Sequence, residues 1–288
     1  MNYALDALWW KLTNQKVRDL ASILTAPPLW HSGCELPVAT LLGQTGFRYL
    51  LSLNEHPETL LNYLKDKEPF GYRLGLYAEH LLAFWFSHAP HCQLIAQNIA
   101  IECNKQTIGA LDFIAQIGEQ TYHIELTCKY YYDPTAEQTG GFFGLNRNDS
   151  LAQKATKLTQ QLDLSAHKNT QTFYQQHHID ANTVKAASII RGNAFTLSGT
   201  IKLNPPYINP HCWAGKVYDW ASFMAQQTEQ KKYVLIPRQD LLAPIRVLPE
   251  HITDFNSEQI KPETPIMIAQ VSERYDGYFH EENRFIII

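Results

Sequence analysis

Two carboxylates near the middle of this 288-residue sequence stand where a cation or a proton would be needed between them. The runs 107–117 (TIGALDFIAQI) and 120–132 (QTYHIELTCKYYY) are strand-like, rich in β-branched and aromatic residues, and only Gly118-Glu119 separates them. Glycine at the first position of a two-residue turn is the type II′ hairpin preference. Such a turn pairs residue 117 with 120 and sets Asp112 directly opposite Glu125, with Cβ atoms about 4.5–5.5 Å apart. Like charges in that position destabilise a hairpin. A protein keeps them when a cation sits between them or when one carboxyl stays protonated.

The neighbouring residues sharpen the pattern. Ile108, Ala110 and Ile114 share a strand face with Asp112, and that face otherwise reads as core. His123, Glu125, Thr127 and Lys129 form a polar row on one face of the next strand, while Tyr122, Ile124, Leu126 and Cys128 form an apolar row on the other. Upstream, Glu79 interrupts the helical stripe Leu76, Ala83, Phe86. Burying an unpaired carboxylate is costly. Glu79 therefore needs a salt bridge to Arg73 or Lys129, or a metal shared with Asp112 and Glu125. Mg²⁺, with Mn²⁺ as its substitute, takes a few carboxylate oxygens plus water. Such an ion lowers the pKa of bound water, steadies phosphoryl charge and orients an in-line attack. With a lysine nearby, the set suffices for phosphodiester hydrolysis.

Several elements must position these groups. Residues 4–24 read as one amphipathic helix, with Leu5, Leu8, Trp9, Leu12, Val17, Leu20 and Ile23 at helical spacing and Pro27-Pro28 as the stop. A short helix is expected over 57–66. A second, apolar nearly all round and therefore buried, is expected over 73–87. Strands follow over 93–103, 107–117 and 120–132. After a Gly-rich loop (Gly140, Gly141, Gly144), a helix is expected over 151–163, where Ser150 and Gln153 form a capping box. Residues 164–182 read as a loop or weak helix, and 184–191 as a strand. Beyond about 200 the prolines 205, 206 and 210 break the chain, and YVLIP (233–237), IMIAQV (266–271) and the terminal RFIII read as strands.

A helical Glu, a strand, Gly-x-x-Asp (Gly109 to Asp112), then Glu125 followed by lysine on the next strand, then helix and strand, resembles the PD-(D/E)XK nuclease core. The stretches VRDLASILTAPPL (17–29), LGLYAEHLLAFW (74–85), IGALDFIAQ (108–116), HIELTCKYYY (123–132), YVLIPRQDLLAP (233–244) and ENRFIII at the C-terminus resemble the bacterial family of domain of unknown function 1853. The resemblance implies an α/β fold with a central mixed sheet flanked by helices. It implies an N-terminal helical segment over 1–65, the nuclease-like core over 66–200 and a C-terminal α+β extension over 201–288. It makes Glu79, Asp112 and Glu125 the metal ligands and DNA or RNA the substrate. The superfamily's lysine falls two residues after Glu125, where this chain has Thr127. Lys129, two further along, and Lys154, on the next helix, are therefore both candidates for the assisting cation. The departure also opens an alternative: a nuclease-fold protein without catalysis, acting as a binding or scaffold module.

Asn146 and Arg147, in the Gly-rich loop just ahead of a helix N-terminus, are candidates for phosphate binding. Between 150 and 202, Lys154, Lys157, Lys168, Lys185, Arg191 and Lys202 outweigh Asp163 and Asp180, although 24 Lys and Arg face 28 Asp and Glu over the whole chain. Five cysteines, odd in number, widely spaced and without CxxC, argue against a disulfide framework or zinc knuckle and for a reducing, cytoplasmic setting. No run of 18 apolar residues suggests a membrane span. GxSxG, HExxH and GxGxxG are absent, so serine hydrolase, zincin and Rossmann readings have no support.

Overall fold

The computed structural model describes residues 11–71, 73–136, 141–146, 148–202, 208–228, 230–255 and 264–288. The protein is mixed α/β, with a large mixed sheet flanked by helices. It divides into two compact units, Met1–Cys128 with Gln153–Arg191, and Lys129–Ala152 with Gly192–Ile288.

In the first unit, α1 (Gln15–Thr25) starts where Asn14 caps it, its side chain accepting from the backbone N–H groups of Lys16 and Val17. This corrects the single helix expected over 4–24. Residues 12–14 are not helical, because Asn14 is a strong N-cap and Asn54 Oδ1 accepts from the N–H groups of Thr13 and Asn14. Leu5, Leu8 and Trp9 lie outside the described residues. Two short helices that the sequence reading did not anticipate follow, α2 (Val38–Leu42) and α3 (Gly46–Glu55), then α4 (Glu58–Lys65) and α5 (Leu74–His88). Residues 81–86 of α5 are all buried, as its all-round apolarity requires. Tyr77 OH donates to the buried Asp19 at 2.7 Å, tying α5 to α1.

The hairpins come next. β1 (Cys92–Cys103) and β2 (Gln106–Ile117) turn at Asn104-Lys105, both at positive φ as a type I′ turn requires. β2 and β3 (Gln120–Asp133) turn at Gly118, φ 60°, with Ile117 opposite Gln120 as expected. α5 packs on β1 and β2, where Phe86 meets Phe113 edge-on at 5.6 Å. α6 (Leu151–Asp163) is followed by a 3₁₀ turn (Leu164–Ala166), α7 (Lys168–Gln176) and β5 (Lys185–Thr196). The region 164–182 is thus more ordered than its polarity suggests, because Tyr174 is buried among Ile101, Leu111 and Ile114. Gly109 is needed here: a Cβ on it would meet Leu164 Cδ1 at 2.4 Å.

Strands β3 and β5 continue into the second unit, which adds β4 (Phe143–Gly144), β6 (Trp213–Tyr218), α8 (Trp220–Ala225), β7 (Lys232–Ile236), β8 (Arg246–Val247), β9 (Ile266–Glu273) and β10 (Phe279–Ile287). The order is β5-β6-β10-β9-β7, with β6 parallel to both of its neighbours. Phe223, Tyr233, Phe255, Ile268, Phe285 and Ile287 form its core. Gly192, at φ 134°, tolerates no side chain, since a Cβ would sit 1.6 Å from Lys129 O.

Arg284 joins two stretches of the second unit. It is 3% exposed, pairs with both carboxylate oxygens of Glu281 at 2.8 and 2.7 Å, and donates to the carbonyls of Leu241 and Ala243. Removing one partner of a buried, hydrogen-bonded charge pair leaves the other uncompensated. Arg284→Ala is therefore expected to cost about 3–5 kcal/mol in denaturant unfolding. A loss below about 1 kcal/mol would show that the 241–245 segment is held by something else.

Candidate metal centre

The β2–β3 register runs regularly from Ile117↔Gln120 to Phe113↔Ile124 and stops one step before Asp112 and Glu125. The ladder opens there, and the two carboxylates take its N–H groups. Leu126 N–H, which a regular register would pair with Leu111, donates to Asp112 Oδ2 at 2.9 Å. Asp112 N–H donates to Glu125 Oε1 at 3.2 Å. Across from Asp112 on β1, between Gln97↔Phe113 and Ile99↔Leu111, stands Asn98 at φ 53°, outside the extended range of a regular strand. The expected juxtaposition of Asp112 and Glu125 is present, but as a reciprocal side-chain-to-backbone exchange and not as a ladder pair.

Glu125 is 1% exposed and receives two further donors. His123 Nε2 lies 2.8 Å from Oε1 and, facing an acceptor-only carboxylate, is the donor. Gln161 Nε2, on α6, donates to Oε2 at 2.7 Å. The polar row His123, Glu125, Thr127 is buried, so it is not a solvated sheet face. The opposing β2 face is less uniform than expected: Ile114 is fully buried, while Ile108 is 43% exposed.

The electrostatics follow from this crowding. Burial first, then the charge of Glu125, push Asp112 up to about 7, against the opposing effect of the Leu126 N–H; Glu79 raises it further and Lys154 lowers it. Glu79 is raised as well, by burial, then by Glu125, with Lys154 again opposing. Glu79 on α5, Asp112 on β2, Glu125 on β3 and Lys154 on α6 thus belong to one electrostatic neighbourhood. Lys129 belongs to another: its ammonium pairs with Asp149, which also accepts from Tyr131 OH. Asn146 Oδ1 accepts from Asn148 N–H and so shapes its own loop. Arg147 lies outside the described residues.

The donor chemistry suits a hard cation. The oxygens are carboxylate, and Gln161 Oε1, on the amide that holds Glu125, is buried without a partner. Among the described residues, however, no group of three or more His, Cys, Asp or Glu is arranged to hold a metal ion. The fit is one of charge and donor type, without a preformed coordination sphere. His123 and Gln161 were not assigned to the site from sequence. Gln161 had a signal, since it lies seven residues, two helical turns, after Lys154 on the same face of α6.

No helix among the described residues is long and apolar enough to cross a membrane. The model of one protein family, described as Domain of unknown function (DUF1853), matches residues 18–288. No curated protein and no solved structure matches the chain.

The raised Asp112 sets a pH dependence. Between the ordinary value of 3.8 and about 7, the folded chain holds a proton that the unfolded chain has lost. The stability gained from that proton is complete below the unfolded value and is lost as pH rises through the folded one. Metal-free protein should therefore lose stability between about pH 4 and pH 7 relative to Asp112→Asn, which cannot ionise. At pH 8 the variant should melt roughly 10 °C higher. Calorimetric melting curves that stay parallel across this range would rule out the raised carboxyl.

Proposed function

We propose for this chain, which belongs to the DUF1853 family, a metal-dependent hydrolysis of phosphodiester bonds in DNA or RNA, centred on Glu79, Asp112 and Glu125. The observation that carries this reading is the excess of negative charge in a buried neighbourhood. Glu79 and Asp112 are both held above their ordinary values, and Glu125 contributes to each shift. A structural salt bridge would lower these groups, whereas a cation-binding site without its cation raises them. Mg²⁺ or Mn²⁺, when bound, would supply Lewis acidity toward a phosphoryl oxygen and a water acidic enough to act as nucleophile at neutral pH. Glu79, Asp112 and Glu125 would hold the ion. Lys154, whose charge reaches Glu79 and Asp112, would draw in the phosphate anion and steady the charge that grows on it. The order of helical Glu, Gly-x-x-Asp and strand Glu, shared with the PD-(D/E)XK nucleases, supports the choice of phosphodiester over other substrates.

A second reading, a nuclease fold without catalysis serving as a binding or scaffold module, is favoured by two observations. Thr127 stands where the superfamily has lysine, and Lys129 is held by Asp149.

Thermal melting with and without metal, together with cleavage assays, tests both. Mn²⁺ or Mg²⁺ should raise the melting temperature of the wild type, and Asp112→Ala should abolish the rise. Single- or double-stranded DNA or RNA should be cleaved, and Glu125→Ala should stop cleavage. Lys154→Ala should lose roughly 10²–10³ in rate, with Lys129→Ala close to wild type. A cation-dependent melting shift with every nucleic acid left intact would select the scaffold reading. No shift at all would defeat the metal centre.

A further inference from the structure

We infer that His123 is a positioning residue for Glu125, holding the carboxylate in one orientation through Nε2–H. This rests on the metal-centre reading above. His123 is fully buried on β3, directly opposite Ile114, which belongs to the apolar cluster of Ile101, Leu111 and Tyr174. An imidazole is a poor occupant of such surroundings. Its Nδ1 is buried without a partner, and an unmet polar atom in an apolar setting is destabilising. A leucine would serve packing better. What the imidazole supplies and leucine would not is the 2.8 Å bond to Glu125 Oε1.

The geometry explains why Glu125 needs this. A glutamate has three rotatable side-chain bonds, and its carboxylate is free to swing unless something holds it. Here donors reach it from three elements: His123 on its own strand, the Asp112 N–H on β2, and Gln161 on α6. Oε1 takes two of them and Oε2 the third, which fixes the carboxylate plane while leaving one lone-pair site open, on Oε2. The Asp112 N–H is backbone and cannot be tuned. His123 is the fully buried side-chain member, two residues from Glu125 and therefore on the same face of the strand.

The inference separates binding from stability. His123→Leu should weaken Mn²⁺ binding, measured by titration calorimetry, by about 10–100-fold, the usual loss when a residue orienting a metal ligand is removed. The same substitution should change the melting temperature of the metal-free protein little, because the orphaned Nδ1 goes together with the bond to Oε1, which still accepts from the Asp112 N–H. His123→Gln, which keeps an N–H donor, should recover part of the affinity. In a Glu125→Ala background His123→Leu should have no further effect on Mn²⁺ affinity. Wild-type affinity in His123→Leu would overturn the positioning role and leave the metal centre standing. So would a variant that loses stability while keeping its affinity. A wild type that binds no Mn²⁺ would instead remove the metal centre, and the positioning role with it.

Discussion

The exchange between Asp112 and Glu125 is the constraint from which the rest of the first unit follows. Each carboxylate accepts a backbone N–H of the strand that carries the other, so each holds open the gap between the two strands. A backbone donor left bare in a buried sheet would be expensive, and these side chains remove that penalty at the cost of bringing two negative groups together. Burial and repulsion then act on the same atoms. That is why Asp112 is pushed far above an ordinary carboxylate while it still accepts a good hydrogen bond. The opening cannot close into a regular ladder without both side chains leaving, and it cannot widen without losing the N–H groups that satisfy them.

The supporting elements can be read against that demand. The Gly118-Glu119 turn fixes the register, and the register brings the acids together. Gly109 lets the turn after α6 come down onto β2, and Tyr174 of α7 fills the apolar side of the same region. α6 carries both Lys154, which opposes the carboxylate charge, and Gln161, which holds Glu125. In the second unit Arg284 plays a comparable organising part: one guanidinium satisfies two carbonyls and a carboxylate, fastening the stretch after β7 to the last strand.

The β2–β3 hairpin was legible in sequence because turn chemistry and a period-two pattern agree on one register. So were α5, whose apolarity needs no phase, and the bounds of α6. The break at Asn14 was harder to see, since apolar spacing continues across it and the deciding contact, Asn54, lies forty residues away. Helix α2 is too short to show a period, α3 buries Leu50 and Leu53 but opens without a side-chain cap, and α7 is polar except for Phe173 and the buried Tyr174 that fastens it. At the site, Glu79 and Asp112 stood out as charges in apolar stripes, and Glu125 as the residue opposite Asp112. Lys129 and Lys154 did not separate, because the partner that occupies Lys129, Asp149, is reached through a loop whose path no local pattern reveals. The family and the mixed sheet rest on the match over 18–288 and on the strand order.

The chain passes from one compact unit to the other after Cys128, returns at Gln153 and leaves again after Arg191. Synthesis from the N-terminus therefore cannot finish the first unit until residue 191 has emerged. By then residues 129–152, which belong to the second, have already been made. β6 follows, but its partner β10 is made only after β7, β8 and β9. The second unit must wait for β10 with strand edges unpaired, a state prone to wrong association in a growing chain. A nascent chain stalled anywhere between these points holds pieces of two unfinished units, and no single cut in the gene yields either one whole.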